Sequence, residues 1–314
     1  MKKIVYVTGC LGFIGYHVAK ACLERGWYVR GVDSETYAAN TRLAEDLFLH
    51  DNFSYEGTDI NDLERLYDCD YVINTAAETH VDNSIASSNV FLRSNINGVH
   101  HLLELIRNSR RKMPTLLHFS TDEVYGDIAQ GAHTETDLLK PSNPYAATKA
   151  AADMLIIAWA RTFDVPYVIV RPTNNYGIGQ YVEKFIPRAV KYLQLGKRIE
   201  LHNHGTPRRT WLHVGDTAAA VIAIIEAGVQ NEIYNISGNY EEENLFVAKQ
   251  IIYQMAGRAV RFEDHIDFSV SRPGQDVRYA IDDSKLKALG WQPRANFNNE
   301  LISIVEYYCN NFIW

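Results

Sequence analysis

The sequence predicts an α/β fold, a doubly wound parallel sheet carrying a smaller C-terminal α/β domain. Through residues 1–172, short and nearly continuous apolar runs alternate with segments of helical period, as in a parallel sheet covered on both faces. The first run stops at a glycine-rich turn that opens a helix, which is how such sheets present a binding crevice at their strand ends. Over residues 173–314 the alternation loosens without a Pro/Gly/Ser linker, so the second part is expected to pack tightly on the first, with some exchange of chain between them.

The elements follow in order. KKIVYVTG is a strand that ends at glycine, and FIGYHVAKACLERG a helix with Ile14, Val18, Ala21 and Cys22 on one face and Gly26 as its stop. WYVRGVD and FSYEGTDI are the second and third strands. LERLYDC is expected as a short helix before a fourth strand, DYVINTAAE. Residues 89–109 form a long helical segment, PTLLHFST a fifth strand, residues 144–163 a helix that starts at Asn143-Pro144, and PYVIVRP a sixth strand. Right-handed crossovers then wind the sheet on both sides. Helices are expected in VEKFIPRAVKYLQLG, GDTAAAVIAIIEAG, LFVAKQIIYQMAG, DDSKLKALG and NELISIVEYYCNN.

Composition narrows the function. A net charge of −7 with both signs interspersed argues against a nucleic-acid groove or an anionic membrane as partner. No stretch approaches the roughly 18 apolar residues of a membrane span. Cys10, Cys22, Cys69 and Cys309 are scattered and form no CxxC pair, which reads as reduced thiols in a cytoplasmic protein. His202, His204 and His213 are the one near-cluster of metal ligands. No Cys or carboxylate joins them in a ligand pattern, so no metal is expected.

TGCLGFIG places Gly9, Gly12 and Gly15 at the turn between first strand and first helix. A pyrophosphate needs close backbone approach there and is favoured by the helix N-terminus. Asp33 ends the second strand 18 residues after Gly15. An acid at that place accepts from ribose hydroxyls and repels an extra phosphate, so the expected cofactor is NAD, not NADP. Asp59, after the third strand, either faces the adenine or caps the helix expected after it. The small Ala76 and Ala77 leave room for a flat cofactor.

Tyr145 and Lys149 stand four apart and share a helical face. A nearby ammonium is expected to lower the phenol pKa and suit the tyrosine to take a proton from a substrate alcohol. HFSTDEVYGD then sets Asp122 beside Glu123 just past the fifth strand, where a ligand is expected.

Taken together, TGCLGFIG, STDEVYG and YAATK resemble the extended short-chain dehydrogenase/reductase family of nucleotide-sugar enzymes. Further landmarks run nearly end to end, among them VDSETYAAN, AAETHVDNSI, RPTNNYG, EKFIP, RRTWLHV, YNISG and RPGQDVRYAIDDSKLKALGW. The glycine turn and the Tyr/Lys pair mark the superfamily. The Thr121-Asp122-Glu123 triplet marks its 4,6-dehydratase branch, because related epimerases do not eliminate water.

The resemblance implies a Rossmann domain over 1–172 and a mainly nucleotide-sugar-binding domain over 173–314. It implies C4 oxidation of a nucleotide-activated hexose, loss of water across C5 and C6, and hydride return to C6, with dTDP-glucose the expected substrate. Tyr145 and Lys149 would act at C4, with Thr121 bonded to the C4 oxygen, Asp122 as acid and Glu123 as base. The cofactor contacts it implies are Gly9, Gly12, Phe13, Ile14, Gly15, Asp33, Ser34, Thr36, Asp59, Ile60, Ala76, Ala77, Thr79, Ser94 and Asn175, with Tyr145 and Lys149. The substrate contacts are Thr79, His80, Ser84, Asn174, Glu183, Lys184, Phe185, Leu201, His202, Arg209, Asn235, Arg272 and Tyr279, with Arg209 and Arg272 on the diphosphate. A homodimer through residues 89–109 and 144–163 is implied as well.

Three departures stand out. Gln275 replaces a usual His, Ser94 a usual Thr, and the stretch between Asp59 and Asp70 is short. UDP-glucose and UDP-GlcNAc dehydratases, 4-epimerases and decarboxylases share the scaffold. A non-catalytic NAD(H) sensor is the reading from another class, and it has no need of Tyr145 or the acids.

Overall fold

The computed structural model describes residues 2–274 and 276–311; Gln275 lies outside them. Six strands of the first part are β1 (Ile4–Thr8), β2 (Tyr28–Asp33), β3 (Phe53–Gly57), β4 (Tyr71–Asn74), β5 (Thr115–Phe119) and β6 (Tyr167–Pro172). A seventh strand, Glu232–Ile236, joins them in the order Glu232–Ile236, β6, β5, β4, β1, β2, β3. Every neighbouring pair is parallel. The order reverses between β1 and β4, so a crevice opens at their carboxyl ends.

One apolar cluster joins the helix Phe13–Glu24 and the helix Val214–Ala227 to one sheet face. Another joins the helices Gly98–Arg107 and Pro144–Phe163 to the opposite face. A third core belongs to the later part of the chain, around Trp211, Val247, Ile251 and Leu301. It packs between a three-stranded sheet and the helices Phe185–Gln194, Asn244–Ala256 and Phe297–Asn310. The strand Glu232–Ile236 and the helix Val214–Ala227 therefore return from the second half of the chain to the first core.

The expected helix at LERLYDC does not form. The chain between β3 and β4 crosses as turn and coil. Seven residues are too few to offset helix nucleation readily, and tertiary bonds hold them as turn and coil instead. Tyr6 Oη accepts from the Tyr67 N–H at 3.0 Å, and the buried Leu63 pairs its carbonyl with His101. In the segment expected to be helical at 89–109, residues Leu92–Asn97 wind as a π-helix between α-helical ends. Asn95 faces inward there: its side chain accepts from the Glu78 N–H and donates to the Thr148 hydroxyl.

Candidate active site

The glycine turn builds one end of the crevice. Gly9 has φ of 71°, and a Cβ on it would come within 2.8 Å of the Ala76 backbone. A Cβ on Gly15 would meet the Gly9 carbonyl at 2.0 Å. These two glycines bring the turn hard against the end of β4. A Cβ on Gly12 would meet only the Gly9 carbonyl, at 3.2 Å, so this position is open on its cavity side. The helix Phe13–Glu24 begins there with no side-chain cap, leaving its first N–H groups for an anion.

Next to the turn, Asp33, Ser34, Thr36, Asp59, Ile60, Ala76, Ala77 and Ser94 line one continuous cavity with Gly9 and Gly12. Asp33 is fixed by the Leu11 and Glu35 N–H groups, both at 2.9 Å. Asp59 closes a local turn by accepting from the Asn61 backbone and side chain. Its capping role falls away, since no helix follows. The donor set, the uncapped helix and the space beside Gly12 fit a dinucleotide.

The cavity continues past Phe13, Ile14, Gly15 and Thr79 to Thr121, Asp122, Glu123, Tyr145, Asn174 and Asn175. Residues Asp122–Tyr125 form a short 3-10 turn just after β5, capped by the Thr121 hydroxyl, which accepts from the Glu123 N–H at 3.3 Å. That turn directs both acids inward, and Asp122 is only 3% exposed. Its Oδ1 accepts from the Thr121 hydroxyl at 3.2 Å, and its Oδ2 has no hydrogen-bond partner among the described residues. Burial and then the Glu123 charge push the Asp122 carboxyl up to about 7. Burial also raises Glu123, but Asn143 donates to its Oε2 at 3.1 Å and the Arg209 charge favours its ionised form.

Asn143 caps the helix Pro144–Phe163 and places Tyr145 and Lys149 one turn apart. The expected lowering of the Tyr145 pKa is not found. Burial, with the Glu123 and Asp122 charges, pushes the phenol up, opposed by its hydrogen bond with Thr121. The ammonium of Lys149 lies instead 3.3 Å from His118 Nε2, in the sheet core. Burial lowers Lys149 to about 8, while the Asp153 charge acts to raise it.

A second lobe of the cavity holds Thr79, His80, Asn174, Glu183, Lys184, Phe185, Leu201, His202, Arg209, Arg272 and Tyr279, and reaches Glu123. Arg272 makes a two-point pair with Asp82, at 2.6 and 2.9 Å. Lys184 donates to the Thr79 carbonyl and hydroxyl. The Tyr279 hydroxyl bonds Asp276 and lies 3.5 Å from Glu123 Oε2.

Two of the expected substrate contacts are not brought to the cavity. Ser84 is 1% exposed; its hydroxyl donates to the Val81 carbonyl and accepts from the Tyr145 N–H. Asn235 is wholly buried. It accepts from Tyr125 and donates to the carbonyls of His133 and Asp282. Both side chains are spent on holding the scaffold. Among the lining residues that were missed are Arg188, Trp211, Asn143 and Asp276. Arg188 follows Lys184 by one helical turn and Trp211 follows Arg209 by two on a strand, so period alone points to both.

The fold and this crevice define an extended short-chain dehydrogenase/reductase. The family model described as GDP-mannose 4,6 dehydratase matches residues 6–304, and the chain belongs to that family. A dTDP-glucose 4,6-dehydratase from Neisseria gonorrhoeae is 39% identical over 99% of this chain and 96% of its own. The crystal structure of the dTDP-glucose 4,6-dehydratase DesIV from Streptomyces venezuelae, with NAD and TYD bound, superposes with a TM-score of 0.93. It is 32% identical and covers 98% of this chain and 97% of its own. The UDP-glucuronic acid 4-epimerase from Bacillus cereus, solved with UDP-glucuronic acid and NAD, is more distant at 26% identity, with a TM-score of 0.90 over 98% of this chain and 99% of its own.

Proposed function

We propose that this chain is an NAD-dependent 4,6-dehydratase of a nucleotide-activated hexose, with dTDP-glucose as substrate. The observation that carries the reading is the buried acid pair at the mouth of the dinucleotide cavity. Asp122, raised to about 7, keeps a substantial protonated fraction at neutral pH, while Glu123 keeps a donor and a cationic neighbour. Opposite environments for two carboxyls suit an acid and a base. An epimerase, which removes no water, has no use for them.

NAD, held by Gly9, Gly12, Asp33 and the cavity residues beside them, would supply the hydride chemistry between C4 and C6. Residues of the chain do the rest. Tyr145, bonded to Thr121, takes the proton of the C4 hydroxyl. The C4 ketone acidifies C5–H, and Glu123 removes that proton. Asp122 protonates the departing C6 oxygen. Glu123 finally returns its proton to C5. Arg209, Arg188, Lys184 and Arg272 offer the second lobe cationic donors for a diphosphate, set among the carboxylates Glu123, Glu183, Glu200 and Asp276.

The same reading carries a homodimer. The segments 89–109 and 144–163 pack together through the Trp159–Glu104 hydrogen bond, and they leave Val90, Leu92 and Met154 exposed at 53, 44 and 49%. Large exposed apolar side chains mark association surfaces. Four free cysteines favour a cytoplasmic setting.

Incubation with dTDP-glucose followed by alkali tests the function. Formation of the 4-keto-6-deoxy chromophore is expected, with a weaker yield from UDP-glucose. Recovery of unreacted sugar or a C4 epimer overturns the reading.

A further inference from the structure

The proton ledger of this reaction does not close on the roles above. In each turnover Tyr145 gains the proton of the C4 hydroxyl, and Asp122 loses one to the departing water. Glu123 resets itself by returning its proton to C5. Tyr145 and Asp122 do not, so one proton must pass from the phenol to the carboxyl before the next cycle.

We propose that the Thr121 hydroxyl carries this proton, moving it from Tyr145 to Asp122 inside the site in every turnover. The inference rests on the dehydratase reading of the site. The geometry for it is present: Tyr145, Thr121 and Asp122 line one cavity, Thr121 acts to lower the Tyr145 phenol, and the Thr121 hydroxyl donates to Asp122 Oδ1 at 3.2 Å. Both ends are shielded, with Tyr145 at 8%, Thr121 at 7% and Asp122 at 3% exposure. Asp122 thus receives from Thr121 at Oδ1 and delivers to the substrate from the same carboxyl, which lines the cavity.

The step balances. The Tyr145 O–H bond breaks and its proton joins the Thr121 oxygen. The Thr121 O–H bond breaks and that proton joins Asp122 Oδ1. Phenol and carboxylate become phenolate and carboxylic acid, and no electron moves. Burial holds the phenol above the carboxyl, so transfer to a resting carboxylate runs uphill. It is completed in step with C6–O cleavage, when the departing oxygen draws a proton from the Asp122 carboxyl. The proton that leaves O4 thereby ends in the water released from C6.

The test compares steady-state turnover of dTDP-glucose across pH for the wild type, Thr121→Ser and Thr121→Val. Loss of the hydroxyl weakens contact with the C4 oxygen and lowers turnover at every pH. Loss of the relay does something further, because Asp122 must then draw its proton from solvent. Thr121→Val is expected to lose about tenfold more per pH unit above about 7, the range in which a carboxyl raised to about 7 is bare. Small buffer acids such as imidazolium should restore part of that loss. Thr121→Ser should show neither effect. Thr121→Ala gives the same comparison if valine disturbs the turn. A valine variant slowed by one constant factor at all pH values, with no response to buffer, overturns the relay and leaves the dehydratase reading standing. A wild type that makes no 4-keto-6-deoxy sugar overturns both.

Discussion

Asp122 and Glu123 are adjacent in the chain but live in different surroundings. Asp122 has a single hydroxyl donor and, among the described residues, no partner for Oδ2, whereas Glu123 has Asn143, Tyr279 and the field of Arg209. From that asymmetry, Asn143→Ala should do two things. It should remove the Glu123 donor, lowering the rate of C5–H loss, and it should cost about 1 kcal/mol of stability through the lost helix cap. Deuterium exchange at C5 and a denaturant midpoint read the two effects separately. Lys149 gives a pH prediction. Its ammonium is lowered to about 8, so it is charged below that pH and neutral above it. C4 oxidation, followed as absorbance of reduced nicotinamide in a single turnover, should fall as pH rises through about 8. A rate flat to well beyond that value would detach Lys149 from the step. The Tyr145–Lys149 spacing was legible in the sequence, but the target of the ammonium was not. His118 reads there as one polar residue in an apolar strand, and only the sheet brings its ring to Lys149.

Among the elements, the glycine turn and the helix Pro144–Phe163 were readable because their signals are local: three glycines between strand and helix, and an Asn-Pro start. Gly15→Ala should abolish cofactor binding, since its Cβ would collide with the Gly9 carbonyl. Retention of bound NAD through gel filtration would contradict this. The failed helix at LERLYDC shows the limit of periodicity. Its residues carry an apolar spacing but cross too short a gap, and the Tyr6 hydroxyl and His101 hold them as turn and coil. Ser84 and Asn235 show another limit. Both stand in motifs that resemble a substrate site, yet their partners lie far away in sequence: Tyr145 for one, Tyr125, His133 and Asp282 for the other. A buried, satisfied polar residue and a ligand-facing one look alike until the chain is folded.

For the whole molecule, a buried polar layer ties the two parts of the chain together. Arg171 and Asp153, 2 and 0% exposed, form an ion pair that also takes in Ser120 and Tyr125, and Tyr125 in turn holds Asn235. Removing one partner leaves an uncompensated buried charge, so Arg171→Met should cost about 3–5 kcal/mol in denaturant unfolding. A change under about 1 kcal/mol would show that water reaches the pair. Met154→Asp on the exposed face of the helix Pro144–Phe163 should convert the proposed dimer to monomer in sedimentation. The division of labour between the adjacent acids is tested most directly by single-turnover spectroscopy of the Asp122→Asn/Glu123→Gln double variant with dTDP-glucose. Reduced nicotinamide should accumulate while no dehydrated sugar forms, and dehydrated sugar appearing at the wild-type rate would contradict the assignment of both carboxyls.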